Sequence, residues 1–134
     1  MAAGELEVVR SAMEAMKRDD ARAMAGLAHA DYGFETTSVP PNAGVYRGLE
    51  TVMSFSREFN DPWETFVVEE QQLRHRGDTV VIPGGVKAKG KASGVALETA
   101  VAYVHALRAG ELARTQVFFD HAQALEASGL ARTA

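Results

Sequence analysis

Near the start of the chain, apolar residues recur at three- and four-residue spacing: Leu6, Val9, Met13 and Met16. That spacing predicts an amphipathic helix over residues 5 to 17. Asp19 or Asp20 can cap a second helix, whose narrow apolar stripe is Ala21, Met24, Leu27 and Ala28. Tyr32 to Thr37 then turns to strand-like residues, and Val39 to Gly44 holds two prolines and a glycine and predicts a loop. Leu49, Val52, Met53, Phe55, Ser56 and Phe59 predict a third helix, ended by Asn60-Asp61-Pro62.

The second half of the chain changes period. Trp63 to Arg76 reads as one long strand, and Arg76-Gly77-Asp78 as a turn. Thr79 to Ile82 is a β-branched run, and Pro83-Gly84-Gly85 predicts a bulge or an edge interruption. Lys87, Lys89 and Lys91 alternate with small residues, the pattern of an edge strand protected by charge. Val95 to Arg108 and Glu111 to Phe119 are two strands joined by a tight turn at Ala109-Gly110. Asp120 to Gly129 predicts a closing helix, with Asp120 and Gln123 in capping-box positions and Gly129 as its stop. Helices first and a meander of long strands afterwards is an α+β pattern.

Composition narrows the class. The 134 residues fit one domain, taken as 1–134, and 46% hydrophobic residues suffice for a core. A net charge of −4 lacks the basic footprint of a nucleic-acid binder. With no cysteine, disulfide and thiolate chemistry are excluded. No apolar run approaches the ~20 residues that span a bilayer. Residues 1 to 10 carry Glu5 and Glu7 and lack the apolar centre of a signal peptide, so a cytoplasmic location is expected.

The order helix, helix, short strand, Tyr46-Arg47-Gly48 leading a helix, then four long strands resembles the SnoaL-like group of the nuclear-transport-factor-2-like (NTF2-like) superfamily. The likeness is carried most by Val104 to Leu112, with its Arg108-Ala109-Gly110 turn. Val117-Phe118-Phe119-Asp120 and Ala124 to Leu130 follow as a similar ending. The resemblance implies a cone: N-terminal helices packed on a strongly curved mixed or antiparallel sheet, enclosing an apolar small molecule. It implies no cofactor and no metal, and an activity of isomerase, cyclase or hydratase type or a non-catalytic binding or assembly role.

Catalytic patterns of relatives can be carried over position by position. Ketosteroid isomerases resemble the chain in layout, but their tyrosine, protonated aspartate and base fall near Ala12, Ala102 and Thr36. None of these residues can supply that proton chemistry. The last-strand aspartate of the epoxide hydrolases and polyketide cyclases falls near Val117. Whether the chain is an enzyme stays open at this point.

Strand residues alternate between faces. Counting back from the Gly110 turn puts Glu98, Ala100, Ala102, Val104 and Ala106 on the inner face, with Thr115, Val117 and Phe119 opposite. Met13, Met16, Phe34, Thr36, Phe55 and Phe59 complete the expected lining, and Tyr46 and Trp63 stand near the mouth. Glu98 is the candidate catalytic residue, because an apolar enclosure favours a carboxyl group's protonated form and suits it to acid–base work. The four histidines, His29, His75, His105 and His121, have no metal-ligand spacing. Tyr103, His105, Gln116 and Phe118 take the outward parity, where a homodimer interface is expected.

Overall fold

The computed structural model describes residues 2–36 and 44–128. Helix α1, Ala2–Lys17, buries Val9, Ala12 and Ala15 completely, one residue per turn along a single stripe. Two successive aspartates end it and start the next helix. Asp19 takes a left-handed conformation (φ 57°), and Asp20 N–H reaches back to Ala15 O at 2.8 Å, which satisfies the last carbonyls of α1. The Asp20 carboxylate then accepts from Ala23 N–H at 3.0 Å and caps α2, Ala21–Ala25. That bond, with Arg18 alongside, holds the Asp20 carboxyl below the ordinary carboxylate range.

Strands β1 (Ala28–Glu35) and β2 (Val45–Arg47) pair antiparallel before α3, Leu49–Asn60. Residues 39–43 of the predicted loop at 39–44, and the stop at Gly129, lie outside the described residues. The stretch read as one strand from Trp63 to Arg76 is two: β3 (Trp63–Glu70) and β4 (Arg74–Arg76). Both pair with the same strand, β5 (Thr79–Gly90), β4 along its first residues and β3 along its last. β6 (Ala96–Arg108), β7 (Glu111–Phe118) and α4 (His121–Ser128) complete the chain.

The seven strands form one open mixed sheet in the order β2-β1-β7-β6-β5-β3, with β4 beside β5. Among the described residues only the β1–β7 pair is parallel. Three helices contribute to the main core on one face: α1, α2 (through Met24) and α3 (through Val52 and Met53). There they meet Tyr32, Phe34, Val80, Ile82, Val86, Val101, Leu112 and Val117. On the opposite face α4 places Ala124 and Leu125 against Val81, Ala102, Val104 and Phe118. Its N-terminus is capped as expected, with Gln123 N–H donating to the Asp120 carboxylate at 3.1 Å.

Two expectations about β5 change. It lies between β6 and β3, so it is not an edge, and Lys87 and Lys89 pair with Glu69 and Glu64 on β3 at 3.3 and 3.4 Å. Pro83 and its glycines also run through it without a bulge, in register with β6 throughout. Pro83 O accepts from Gln71 N–H at 2.8 Å, so its nitrogen, on the same side, faces the gap between β3 and β4, where no ladder bond is lost. Gly84 is needed for close approach: a Cβ there would meet Glu69 O at 2.5 Å.

The largest correction concerns β6. Arg108 pairs with Glu111 and Leu107 with Leu112, but Ala106 pairs with Arg114, which leaves Ala113 as an extra residue in β7. Beyond that bulge, Val117 faces Tyr103 and Thr115 faces His105. A one-residue change of register turns a strand over. Val101, Tyr103, His105 and Leu107 therefore point to the three-helix face, and Ala102 and Val104 to the α4 face. Ala100 and Glu98 share the parity of Ala102 and are exposed.

Candidate functional site

Built upward from the inner face of the sheet, the site begins with three side chains that are completely buried: Tyr32, His105 and Thr115. Tyr32 O–H donates to Thr115 Oγ1 at 2.7 Å, and His105 Nδ1 lies 2.9 Å from the same oxygen. The register of β1, β6 and β7 brings them together, because Thr115 stands opposite His105 on one side and Phe34, two residues beyond Tyr32, on the other. The imidazole is stacked on Tyr103, with centroids 6.1 Å apart and planes 6° apart. Its Nε2 is buried and has no hydrogen-bond partner among the described residues.

These groups keep their protons in place near neutrality. Burial pushes the His105 pKa down to about 3, so the ring is neutral. Burial, with the negative charge of Glu70 added, pushes Tyr103 up to about 12. Burial also raises Tyr32 well above the ordinary phenol value, against the opposing effect of its bond to Thr115. The cluster is therefore a neutral hydrogen-bonding array and not a proton-transfer pair poised near pH 7.

An aromatic wall adjoins it. Phe34 contacts Phe55 at 5.7 Å, and Tyr46 stacks on Phe55 at 4.1 Å. The wall continues from Phe55 to Phe59 at 6.0 Å between centroids, and from Phe59 to both Trp63 and Phe66 at 6.4 and 5.4 Å. Phe55 and Phe59 are one turn apart on α3, which lays them along one face. Phe34 is buried, while the other five rings are only half-buried. The Trp63 indole Nε1 is buried without a partner among the described residues. At the β3–β4 side, α1 is tied to the sheet by Arg10–Glu70 at 3.0 Å and by Glu5–His75 at 3.5 Å.

The expected lining is thus brought together in part. Phe34, Thr36, Thr115 and Val117 are buried, and Met13, Met16 and Phe119 pack at the margin of the main core. Tyr46, Phe55, Phe59 and Trp63 form the wall. Ala102 and Val104 belong to the opposite face, Ala100 is exposed, and Glu98 is exposed opposite Lys87. Tyr103 and His105, expected on the outer sheet face with Gln116 and Phe118, lie inside; the β7 bulge is the reason in every case. Tyr32 and Phe66 were absent from the expected lining. Tyr32 shares the parity of Phe34 and Thr36, which is the signal that could have found it.

A groove of about 410 Å³ lies on the α4 face, lined by Gln71, Gln72, Arg74, Val81, Pro83, His121 and Leu125. His121 Nε2 there is committed to Gly84 O and Val101 O, at 2.9 and 3.0 Å. We place the candidate site in the interior because two buried polar nitrogens there, Trp63 Nε1 and His105 Nε2, have no partner among the described residues, whereas in the groove Gln71, Gln72 and Arg74 are exposed and His121 is already bonded. Among the described residues no three His, Asp or Glu side chains are grouped to hold a metal ion, and no helix is long and apolar enough to cross a membrane.

The fold and this arrangement can be set beside known proteins. The family profile described as SnoaL-like domain matches residues 9–115. No curated protein matches the chain in sequence. Among solved structures, an NTF2-like protein from Burkholderia xenovorans LB400 is similar with a TM-score of 0.79 at 16% identity, covering 96% of this chain and 98% of its own. An NTF2-like protein from Burkholderia thailandensis E264 is 25% identical, with a TM-score of 0.69 over 90% of this chain and 96% of its own. A candidate SnoaL-like polyketide cyclase from Jannaschia sp. CCS1 has a TM-score of 0.76 at 12% identity, over 94% of this chain and 92% of its own. With the profile covering most of its length and the same fold in each of these neighbours, the chain belongs to the SnoaL-like family of NTF2-like proteins.

Proposed function

We propose that the protein binds a small apolar molecule in its interior, between the aromatic wall and the inner face of β6 and β7. The observation that carries this reading is the unbroken run of half-buried rings Tyr46, Phe55, Phe59, Trp63 and Phe66. A contiguous aromatic surface that still reaches solvent is the usual lining of a small-molecule site. The likeness to a candidate polyketide cyclase supports ring-bearing ligands of that class. Recognition is favoured over acid–base turnover, because near neutrality His105 does not take up a proton, Tyr103 does not release one, and Glu98 is on the other face.

Ethylbenzene tests the site. In a 1H–15N spectrum the indole N–H of Trp63, the sole tryptophan, gives one cross-peak. That cross-peak is expected to shift saturably, and Phe55→Ala to weaken binding about tenfold, since most of a buried ring's contact is lost. No saturable shift at the solubility limit of the probe would sink the proposal.

A further inference from the structure

Resting on that reading, the hydrogen bonds inside the site specify a feature of the ligand. A threonine hydroxyl has one proton and accepts on its oxygen. Thr115 Oγ1 already accepts from Tyr32 O–H. Among the described residues its own proton then has His105 Nδ1, at 2.9 Å, as its acceptor. The chain Tyr32 O–H to Thr115 O–H to His105 Nδ1 runs in one direction and uses every donor along it. With Nδ1 accepting, the neutral ring carries its proton on Nε2, and that N–H is buried without an acceptor among the described residues. The opposite tautomer would leave the Thr115 proton as well as Nε2 unmet, with Thr115 completely buried. The stack on Tyr103 fixes the plane of the ring. A buried N–H left without an acceptor is costly, so a site that keeps one is built for an acceptor that arrives with the ligand.

We propose that the ligand carries a carbonyl or similar neutral acceptor oxygen, received by His105 Nε2–H. Thr115 and Tyr32 act as positioning residues that hold the imidazole in the donating tautomer.

Acetophenone and ethylbenzene are a matched pair of probes, alike in ring and size and differing in the carbonyl. Because water also solvates the ketone, the quantity to measure is the ratio of the two affinities, read from the Trp63 indole cross-peak. His105→Phe is expected to lower the acetophenone-to-ethylbenzene ratio about tenfold, the worth of one hydrogen bond, while ethylbenzene still binds. An unchanged ratio overturns the inference and leaves the interior site standing. Failure of both probes to bind overturns both. The second readout needs no variant: side-chain 15N shifts of the wild-type protein are expected to show a single Nε2–H tautomer for His105. A protonated Nδ1 overturns the proposal. Thr115→Val is expected to break the single-tautomer pattern and Thr115→Ser to restore it; an unchanged pattern in Thr115→Val removes Thr115 from the positioning role.

Discussion

Thr115 on β7 stands opposite His105 on β6, with Oγ1 and Nδ1 2.9 Å apart and both residues fully buried. This pair exists because Ala113 is an extra residue in β7. Without it Thr115 would face Val104, and the imidazole would point to the α4 side. The bulge therefore decides both which residues line the interior and which polar group sits at its centre.

Burial of a neutral imidazole makes stability depend on pH. The folded state refuses a proton at His105 until about pH 3, whereas an unfolded histidine accepts one below about pH 6.5. Acidification through that window favours the unfolded chain by up to about 1.4 kcal/mol per pH unit, and above it this group contributes no dependence. Urea midpoints compared at about pH 7 and pH 5 are expected to fall for the wild type and to fall less for His105→Phe. Equal falls in the two proteins would contradict a neutral buried ring.

Gly84 and Gly85 are neighbours with different surroundings. An added Cβ at Gly84 meets Glu69 O at 2.5 Å, a backbone atom that cannot move alone, while at Gly85 the nearest atom is Thr99 O at 3.8 Å. Gly84→Ala is expected to cost about 1–3 kcal/mol by forcing β3 from β5, and Gly85→Ala less than about 1 kcal/mol. Chemical denaturation of the two variants checks the order; a reversed order would refute the close β3–β5 approach.

The β6–β7 turn carries a small strain. Ala109 has φ 54° and Gly110 φ 80°, the two left-handed residues of a tight hairpin, and alanine is poorly suited to the first place. Ala109→Asn is expected to raise stability by about 0.5–1 kcal/mol. A lower thermal midpoint for that variant would count against this turn geometry.

Glu98 gives a negative prediction. It is exposed, opposite Lys87 on the face away from the site. Glu98→Gln is expected to leave ethylbenzene affinity unchanged and to alter stability by less than about 0.5 kcal/mol, as for other exposed substitutions. Loss of binding in this variant would return Glu98 to the interior and undo the assignment of β6.

The sequence by itself determined the order of elements, the family likeness, the α1 and α3 stripes, the Asp120 cap and the inward parity of Phe34, Thr36, Thr115 and Val117. Each of these follows from local periodicity or local hydrogen bonding, which neighbouring residues dictate. Only the tertiary structure decided the facing of β6, the division of Trp63 to Arg76 into two strands, and the place of β5 inside the sheet. These depend on pairing between distant strands. One unpaired residue, Ala113, shifts the phase of β7 between Leu112 and Thr115, leaves the alternation along β6 untouched, and changes which residues meet across the hairpin. His105 thus moved from an expected outer face to the centre of the interior, although no residue near it in sequence signals the change.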